Sequence, residues 1–305
     1  MKIGILGAGA VGAYLVLGLS EKFGDDLRVI ASGERAERLK TDGLEINGKR
    51  YELNVQTPKE ASGLDVLFVC LKYNALRAAL GDIRDVVGKD TLVVSLMNGV
   101  DSEEIIGEAI GEEHIVYSLI KISSTRNGND IRFPLPKGKT GIYLGMPGKK
   151  AAEEKNVMKI ARIFDDTPII VHLSDDILRD IWDKFGLNIS RNLPQAILDV
   201  GAGAYDDSEH VDNLKKKLRQ EVVTVAQAKG IGISEAMMPG YYTPAQRYST
   251  LQDLDAKRET EIEMFSGALI RIGKELGIPC PYNEVVYDLI KALEEKNRGK
   301  FDYEL

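Results

Sequence analysis

Apolar residues along this chain follow two different patterns. In the first half, short runs rich in Val, Ile and Leu without polar alternation occupy residues 2–6, 27–31, 66–71 and 92–96. Runs of this kind fit parallel strands covered on both faces. Helical periods fill residues 11–22, 34–42 and 74–87, so the order reads as repeated strand–helix–strand units of an open doubly wound sheet. Around residue 44 the pattern changes. Residues 44–46 and 51–55 flank Asn47-Gly48, a pair that favours the tight turn of a β-hairpin. Further strand-like runs lie around Ile131 and Tyr143, followed by a helix near 152–164 and a strand near Ile169. Beyond Ser174 long helical periods take over. The expected architecture is α/β: a Rossmann-type dinucleotide-binding domain over residues 1–173 and a mostly α-helical substrate-binding domain over 174–305.

The first strand runs into Gly7-Ala8-Gly9-Ala10-Val11-Gly12, a GxGxxG motif at the entry to a helix. The first glycine permits the turn, the second lets backbone approach a pyrophosphate, and the third allows close packing of helix on strand. A helix N-terminus then offers unpaired N–H groups to the anion. At the end of the second strand an NAD enzyme carries an acid for the ribose hydroxyl, whereas this chain reads Ile30-Ala31-Ser32-Gly33. Ser32 with Arg35 or Arg38 suits a 2′-phosphate, so the expected cofactor is NADP(H). Glu34 beside them weighs the other way. Gly43 to Lys49 spells GxxxxGK, but Arg50 stands where a phosphate loop needs Ser or Thr, and the hairpin accounts for these glycines.

Composition removes several function classes. With 305 residues, 44% of them hydrophobic, the chain is long enough for two domains with a sizeable core. A formal net charge of -7 argues against a nucleic-acid partner. No apolar run reaches the roughly 20 residues of a membrane span, and the glycine-broken start lacks a basic leader, so the cytoplasm is the expected location. Cys70 and Cys280 form no ligand pair. His114, His172 and His210 have neither metal-ligand spacing nor a paired nucleophile.

The candidate chemistry lies on two elements. Lys72 follows the strand ending at Leu71, and Asn98 follows the one ending at Leu96, which puts both on the sheet edge that carries the glycine motif. Taken singly, Lys72 reads as a solvated helix cap and Asn98-Gly99 as a turn. In the second domain Lys184, Asn188 and Asn192 recur at i, i+4 and i+8, a polar stripe on a helix otherwise suited to burial. Such a stripe faces either water or a ligand.

These motifs, with Ser249-Thr250-Leu251-Gln252-Asp253 and Thr260-Glu261-Ile262, resemble the ketopantoate reductase (2-dehydropantoate 2-reductase) family, and the match runs from residue 1 to about residue 290. The resemblance implies NADPH-dependent reduction of a small 2-oxo acid, with Lys184 as the general acid and Glu261 beside it in the catalytic set. It implies that Asn98, Asn188, Asn192 and Ser249 bind substrate, and that Lys72 and Asn98 lie at the cofactor. The physics agrees, because hydride addition builds alkoxide character that an ammonium stabilises and then protonates. Two positions depart from the family. Ser32 stands where members commonly carry Arg, and the Asn-Gly pair beyond the lysine helix is replaced around Gly201-Ala202-Gly203.

Rival readings are an NADP-dependent 2-hydroxy acid dehydrogenase for another branched or aromatic 2-oxo acid, and a non-catalytic NADPH sensor. The expected partners are the oxo acid and, among proteins, a second copy as a homodimer, with neither nucleic acid nor membrane. Tyr287 and Lys291 have the YxxxK spacing of short-chain dehydrogenases but read as an ordinary helix face. A last expectation concerns Ser249, whose Ser-x-x-Gln pattern also fits a capping box. One helix through Ser249 and Glu261 would part them by about 18 Å, too far for one small substrate. The stretch 249–255 is therefore expected as a loop or separate turn that folds back, with the long helix beginning near Lys257 and Glu261 in its first turns.

Overall fold

Sheet strands at the N-terminus follow the four apolar runs closely. The computed structural model, which describes residues 1–127, 129–236 and 242–303, gives β1 (Ile3–Leu6), β2 (Leu27–Ile30), β3 (Leu44–Ile46), β4 (Lys49–Tyr51), β5 (Asn54–Gln56), β6 (Val66–Val69), β7 (Leu92–Ser95), β8 (Ile115–Lys121), β9 (Thr125–Asn127), β10 (Asp130–Arg132), β11 (Gly141–Gly145) and β12 (Val171–Leu173). Eight of them form one sheet in the order β12-β11-β8-β7-β6-β1-β2-β5. The pairs β5–β2, β2–β1, β1–β6, β6–β7 and β7–β8 are parallel, and β11 runs antiparallel to β8. Because β2 lies on one side of β1 and β6 on the other, the chain reverses direction across the sheet at β1. In open α/β sheets ligands bind at such a switch point, outside the carboxyl ends of the strands.

Helices α1 (Ala10–Phe23), α2 (Gly33–Asp42), α3 (Tyr73–Val86), α4 (Ser102–Ile110) and α5 (Lys155–Ala161) accompany this sheet. Alternate residues of each strand enter two separate cores. Ile5, Val29, Phe68 and Val94 pack on one side with Leu15 and Leu19 of α1 and Ile160 of α5. Ile30, Leu67, Val69 and Val93 pack on the other with Leu76 and Ile83 of α3 and Ile106 of α4. Burial on both faces explains why the strands show no polar alternation, each buried Val, Leu or Ile contributing about 1.5–3 kcal/mol.

The hairpin at residue 44 forms, with a shorter second arm than the sequence predicts. β3 pairs antiparallel with β4, and Asn47 and Gly48 take φ of 51° and 75°, the paired left-handed turn expected of Asn-Gly. Residues 51–55 do not continue as one strand. β4 ends at Tyr51, and β5 leaves the hairpin to pair in parallel with β2. A second, four-stranded sheet, β4-β3-β10-β9, is built on this hairpin, and the Asp130 carboxylate accepts from the Gly48 N–H at 3.0 Å. GxxxxGK is thus a hairpin turn.

The chain divides into two compact units, Met1–Leu178 and Arg179–Leu305. The second holds most of α6 (Ile177–Leu198), together with α7 (Ala204–Asp207), α8 (Glu209–Ala228), α9 (Ser249–Asp255), α10 (Ala268–Glu275) and α11 (Pro281–Asn297). Trp182 and Phe185 of α6 meet edge to face at 5.6 Å, and Phe265 lies 6.5 Å from Phe185. All three are at most 2% exposed and anchor the core of this unit. None of the described helices is long and apolar enough to cross a membrane.

Candidate active site

Each glycine of the first motif has a distinct geometric reason. Gly7 ends β1 with φ of 108°, and a Cβ there would stand 2.5 Å from the Cys70 carbonyl oxygen, beyond the reach of any L side chain. A Cβ on Gly12 would lie 2.0 Å from the Gly7 carbonyl oxygen, whereas one on Gly9 would meet nothing within 4 Å. The second glycine therefore faces open space at the N-terminus of α1, a helix of 14 residues whose cap residue is Gly9 and whose cap lacks a side-chain hydrogen bond. Unpaired N–H groups and room for an anion coincide there. These residues fit the pyrophosphate of a dinucleotide.

The same edge carries the other first-unit candidates. The Cys70 N–H donates to the Leu6 carbonyl at 2.8 Å and the Leu96 N–H to Val69 at 2.9 Å, so the segments after β1, β6 and β7 run side by side. Lys72 is the cap residue of α3, and Asn98 lies three residues beyond β7. Ser32 caps α2 without a side-chain bond to it, Gly33 follows with φ of 59°, and Ser32, Arg35 and Arg38 are exposed. Below Asn98 a polar cluster holds the loop. The Ser102 hydroxyl donates to Glu103 Oε2 at 2.7 Å and lies 2.8 Å from the Ser95 hydroxyl, while the Tyr73 hydroxyl donates to Asp101 at 2.6 Å. Glu103 is 5% exposed, and burial pushes its carboxyl up to about 7, against the opposing bond from Ser102 and with the negative field of Asp101 adding to the rise.

In the second unit α6 presents the expected polar residues. Lys184 and Asn188 are half-buried, and Asn192 is 7% exposed. The guanidinium of Arg219, 3% exposed, lies across this helix from α8, donating to Asp183 Oδ1 at 2.6 Å and to the Ser234 carbonyl at 2.6 Å. Gly186 makes room for it, since a Cβ there would stand 2.1 Å from Arg219 Nη1. Asn192 donates from Nδ2 to the Ser249 hydroxyl at 3.4 Å, which joins two candidates 57 residues apart in sequence.

Ser249 and Glu261 do not share a helix. Ser249 begins α9, whose cap residue is Tyr248, so it is not the helix cap of a capping box. Lys257 then takes φ of 52° and stops the helix. Winding resumes as a π-helical turn at Glu263–Gly267 that continues into α10, later than the start near Lys257 that the sequence predicts. One short-range and one long-range set of side-chain bonds account for the delay. Arg258 donates to Asp253 at 2.8 Å, and both the N–H and hydroxyl of Thr260 donate to Glu294 Oε1, at 2.8 and 2.7 Å. Glu261 stands just ahead of the helix, its carbonyl accepting from the Phe265 N–H at 3.1 Å. Tyr287 and Lys291 do lie on a helix, where both reach Glu263, at 2.6 and 3.6 Å.

Two residues of α6 carry no signal that the every-fourth-residue stripe detects, Gln195 and Arg191. Gln195, fully buried, donates to the Gln246 carbonyl at 2.9 Å and accepts from the Tyr248 N–H at 2.6 Å, which fixes the chain immediately before Ser249. Burial raises the hydroxyl of that same Tyr248, and the positive charge of Arg191 opposes the rise. The signal was a helical period of 3.6, which from Lys184 selects 188, 191 and 195 as well as the i+8 position. The Gly201–Gly203 stretch has a structural role: a Cβ on Gly201 would lie 2.2 Å from the Pro244 carbonyl oxygen, and the N–H groups of Ala202 and Gly203 donate to Gln246 and Pro244.

Comparison with known proteins agrees with the fold. Residues 3–146 match the family model described as Ketopantoate reductase PanE/ApbA, and residues 176–294 the model of its C-terminal part. The 2-dehydropantoate 2-reductase of Pyrococcus horikoshii is 28% identical over 310 residues, covering 98% of this chain and 99% of the relative. That of Archaeoglobus fulgidus is 28% identical over 298 residues, covering 96% and 98%. Among solved structures, a PanE/ApbA family ketopantoate reductase from Ralstonia eutropha JMP134 superposes with a TM-score of 0.80 at 26% identity, over 98% of this chain and all of that one. A D-mandelate dehydrogenase with NADH and anilino(oxo)acetate gives 0.83 at 26% identity, over 98% and 99%. The chain belongs to the ketopantoate reductase family of oxidoreductases, which use a nicotinamide cofactor.

Proposed function

We propose that this protein reduces 2-dehydropantoate to pantoate with NADPH, and that Lys184 is the proton donor. The observation that carries this reading is the lysine stripe: Lys184 and Asn188 stay half-open on a helix whose neighbouring positions Phe185, Gly186 and Ile189 are buried. NADPH, held by its pyrophosphate at Gly7, Gly9 and Gly12 with Lys72 and Asn98 beside the loop, supplies the hydride. Lys184 donates a hydrogen bond to the carbonyl oxygen of the oxo acid, stabilises negative charge as it develops there, and passes its proton to that oxygen. Asn188, Asn192 and Ser249 orient the acid through neutral hydrogen bonds, and Asn98 and Glu261 contact it as well. Ser32 and Arg35 take the 2′-phosphate, an arginine fork suiting its geometry.

The likeness to a D-mandelate dehydrogenase complexed with NADH supports a second reading, in which a bulkier 2-oxo acid is the substrate and NADH the reductant. Following NADPH and NADH absorbance against 2-dehydropantoate and a panel of branched and aromatic 2-oxo acids separates the two. Turnover of 2-dehydropantoate with NADPH at the highest kcat/KM supports the first. Highest kcat/KM with an aromatic oxo acid supports the second, and NADPH binding without turnover of any acid supports a sensor.

A further inference from the structure

Along α11 the positions Val286, Ile290 and Glu294 are all buried, a spacing that puts them on one face of the helix. The last of the three is a carboxylate, 4% exposed, where the pattern calls for an apolar side chain. Burying a charge is costly unless its oxygens are answered. Here both are. Oε1 accepts from the Thr260 N–H at 2.8 Å and from the Thr260 hydroxyl at 2.7 Å, while Oε2 lies 3.2 Å from Lys291 Nζ. Burial pushes the Glu294 carboxyl up, but the bonds from Thr260 and the Lys291 ammonium overcome that rise and hold it below the usual carboxylate range.

These bonds bracket Glu261. The Thr260 hydroxyl has one proton, and giving it to Glu294 leaves the oxygen free to accept from the Ile262 N–H at 3.3 Å. Thr260 and Ile262 are buried, whereas Glu261 between them is half-buried. On the far side, the Glu261 carbonyl accepts from the N–H groups of Met264 and Phe265, at 3.0 and 3.1 Å. The π-helical turn that follows is tied to α11 as well, since Tyr287 and Lys291 reach Glu263. Turns of this kind are frequent at functional sites. Glu294 therefore anchors both neighbours of Glu261, Thr260 directly and Ile262 through the Thr260 hydroxyl.

We propose that Glu294 is a positioning residue that acts through Thr260 to set Glu261 for contact with the oxo acid. This rests on the reading of Glu261 as a group that touches that acid. A carboxylate suits the task better than an amide. A glutamine would keep one acceptor for Thr260 but turn an amino group toward the Lys291 ammonium.

The test is a double-mutant cycle of Glu294→Met and Glu261→Gln in NADPH-dependent reduction of 2-dehydropantoate. Glu294→Met is expected to lower kcat/KM by about 10- to 100-fold, as for a reacting group held out of place. NADPH should still bind at wild-type stoichiometry, which separates misplacement from unfolding. Added to Glu261→Gln, Glu294→Met should cost no further factor, because a residue that acts through Glu261 then has nothing to act on. Thr260→Val, which keeps the N–H bond and loses the hydroxyl bond, should show a smaller loss with the same non-additivity. Thr260→Ser, which keeps both, should recover most of the rate. Losses that multiply in the double variant, or an unchanged kcat/KM in Glu294→Met, overturn the proposal while leaving Glu261 in its role. A Glu261→Gln variant that matches wild type overturns the reading of Glu261, and the proposal with it. If Glu294→Met does not fold, the Thr260 variants decide by the same criteria. If wild type does not reduce 2-dehydropantoate, the proposed function fails on its own account and the cycle is read from the dissociation constant of oxamate: non-additive weakening supports the proposal, and additive, unchanged or absent binding overturns it.

Discussion

Asn192 on α6 and Ser249 at the start of α9 meet through a hydrogen bond of 3.4 Å, and the buried amide of Gln195 one turn further along α6 fixes the backbone that carries Ser249 there. A serine at a helix start is thereby placed against a helix more than fifty residues earlier in sequence.

Removing the Gln195 amide should act on the oxo acid and spare the cofactor. Gln195→Met keeps the volume but loses both bonds to Gln246 and Tyr248, so Ser249 is no longer held in register. The expected result is a rise in KM for the oxo acid with an unchanged NADPH dissociation constant, together with a destabilisation of about 1–3 kcal/mol from the unpaired backbone groups. Steady-state kinetics beside thermal melting measure both.

The two glycines after Gly7 predict opposite outcomes on folding. Gly9→Ala adds a methyl where the protein has nothing within 4 Å, so thermal stability should stay close to wild type while NADPH binding weakens, because the methyl takes space needed by the pyrophosphate. Gly12→Ala drives a Cβ to 2.0 Å from the Gly7 carbonyl oxygen and should lose both stability and cofactor affinity. Unimpaired NADPH binding by Gly9→Ala would count against this loop as the pyrophosphate site.

Cofactor choice is tested at the end of β2. Fluorescence titration should find NADPH bound more tightly than NADH. Arg35→Ala should narrow that difference by weakening NADPH alone, since only NADPH carries the 2′-phosphate. Equal weakening of both cofactors would remove Arg35 from the phosphate site.

Glu103 sets a pH dependence with a definite sign. Its carboxyl is raised by burial from 4.5 to about 7 in the folded chain, so between these values the folded state keeps a proton that the unfolded state releases. Stability therefore falls as pH rises from about 4.5 to about 7 and levels off above, by roughly 3 kcal/mol. Glu103→Gln, which cannot ionise, should lack this decline. Melting curves from pH 5 to 8 should show the wild-type minus variant difference shifting against wild type as pH rises, and parallel curves would contradict the assignment.

Much of the first unit was legible because its signals are local. The β1 run, Gly7, Gly9 and Gly12 act within a dozen residues, and Asn47-Gly48 fixes its own turn. The split of 51–55 between β4 and β5 was not legible, because β5 is recruited by β2, a partner more than twenty residues away. The same holds in the second unit. Lys184, Asn188 and Asn192 could be read from helical spacing, but the late start of the helix after Glu261 depends on Glu294 accepting from Thr260 across 34 residues. Arg191 was missed for a simpler reason: a stripe read strictly at every fourth residue drifts away from the true helical period, and i+7 lies closer to the first residue than i+8.

The most direct measurement of the account is the turnover of Lys184→Ala with NADPH and saturating 2-dehydropantoate, set beside its NADPH affinity. With Lys184 as proton donor, the cofactor dissociation constant stays unchanged and kcat falls by about 100- to 10,000-fold, as for loss of a general acid. A variant that binds NADPH normally and keeps near-full kcat would contradict Lys184 as the proton donor.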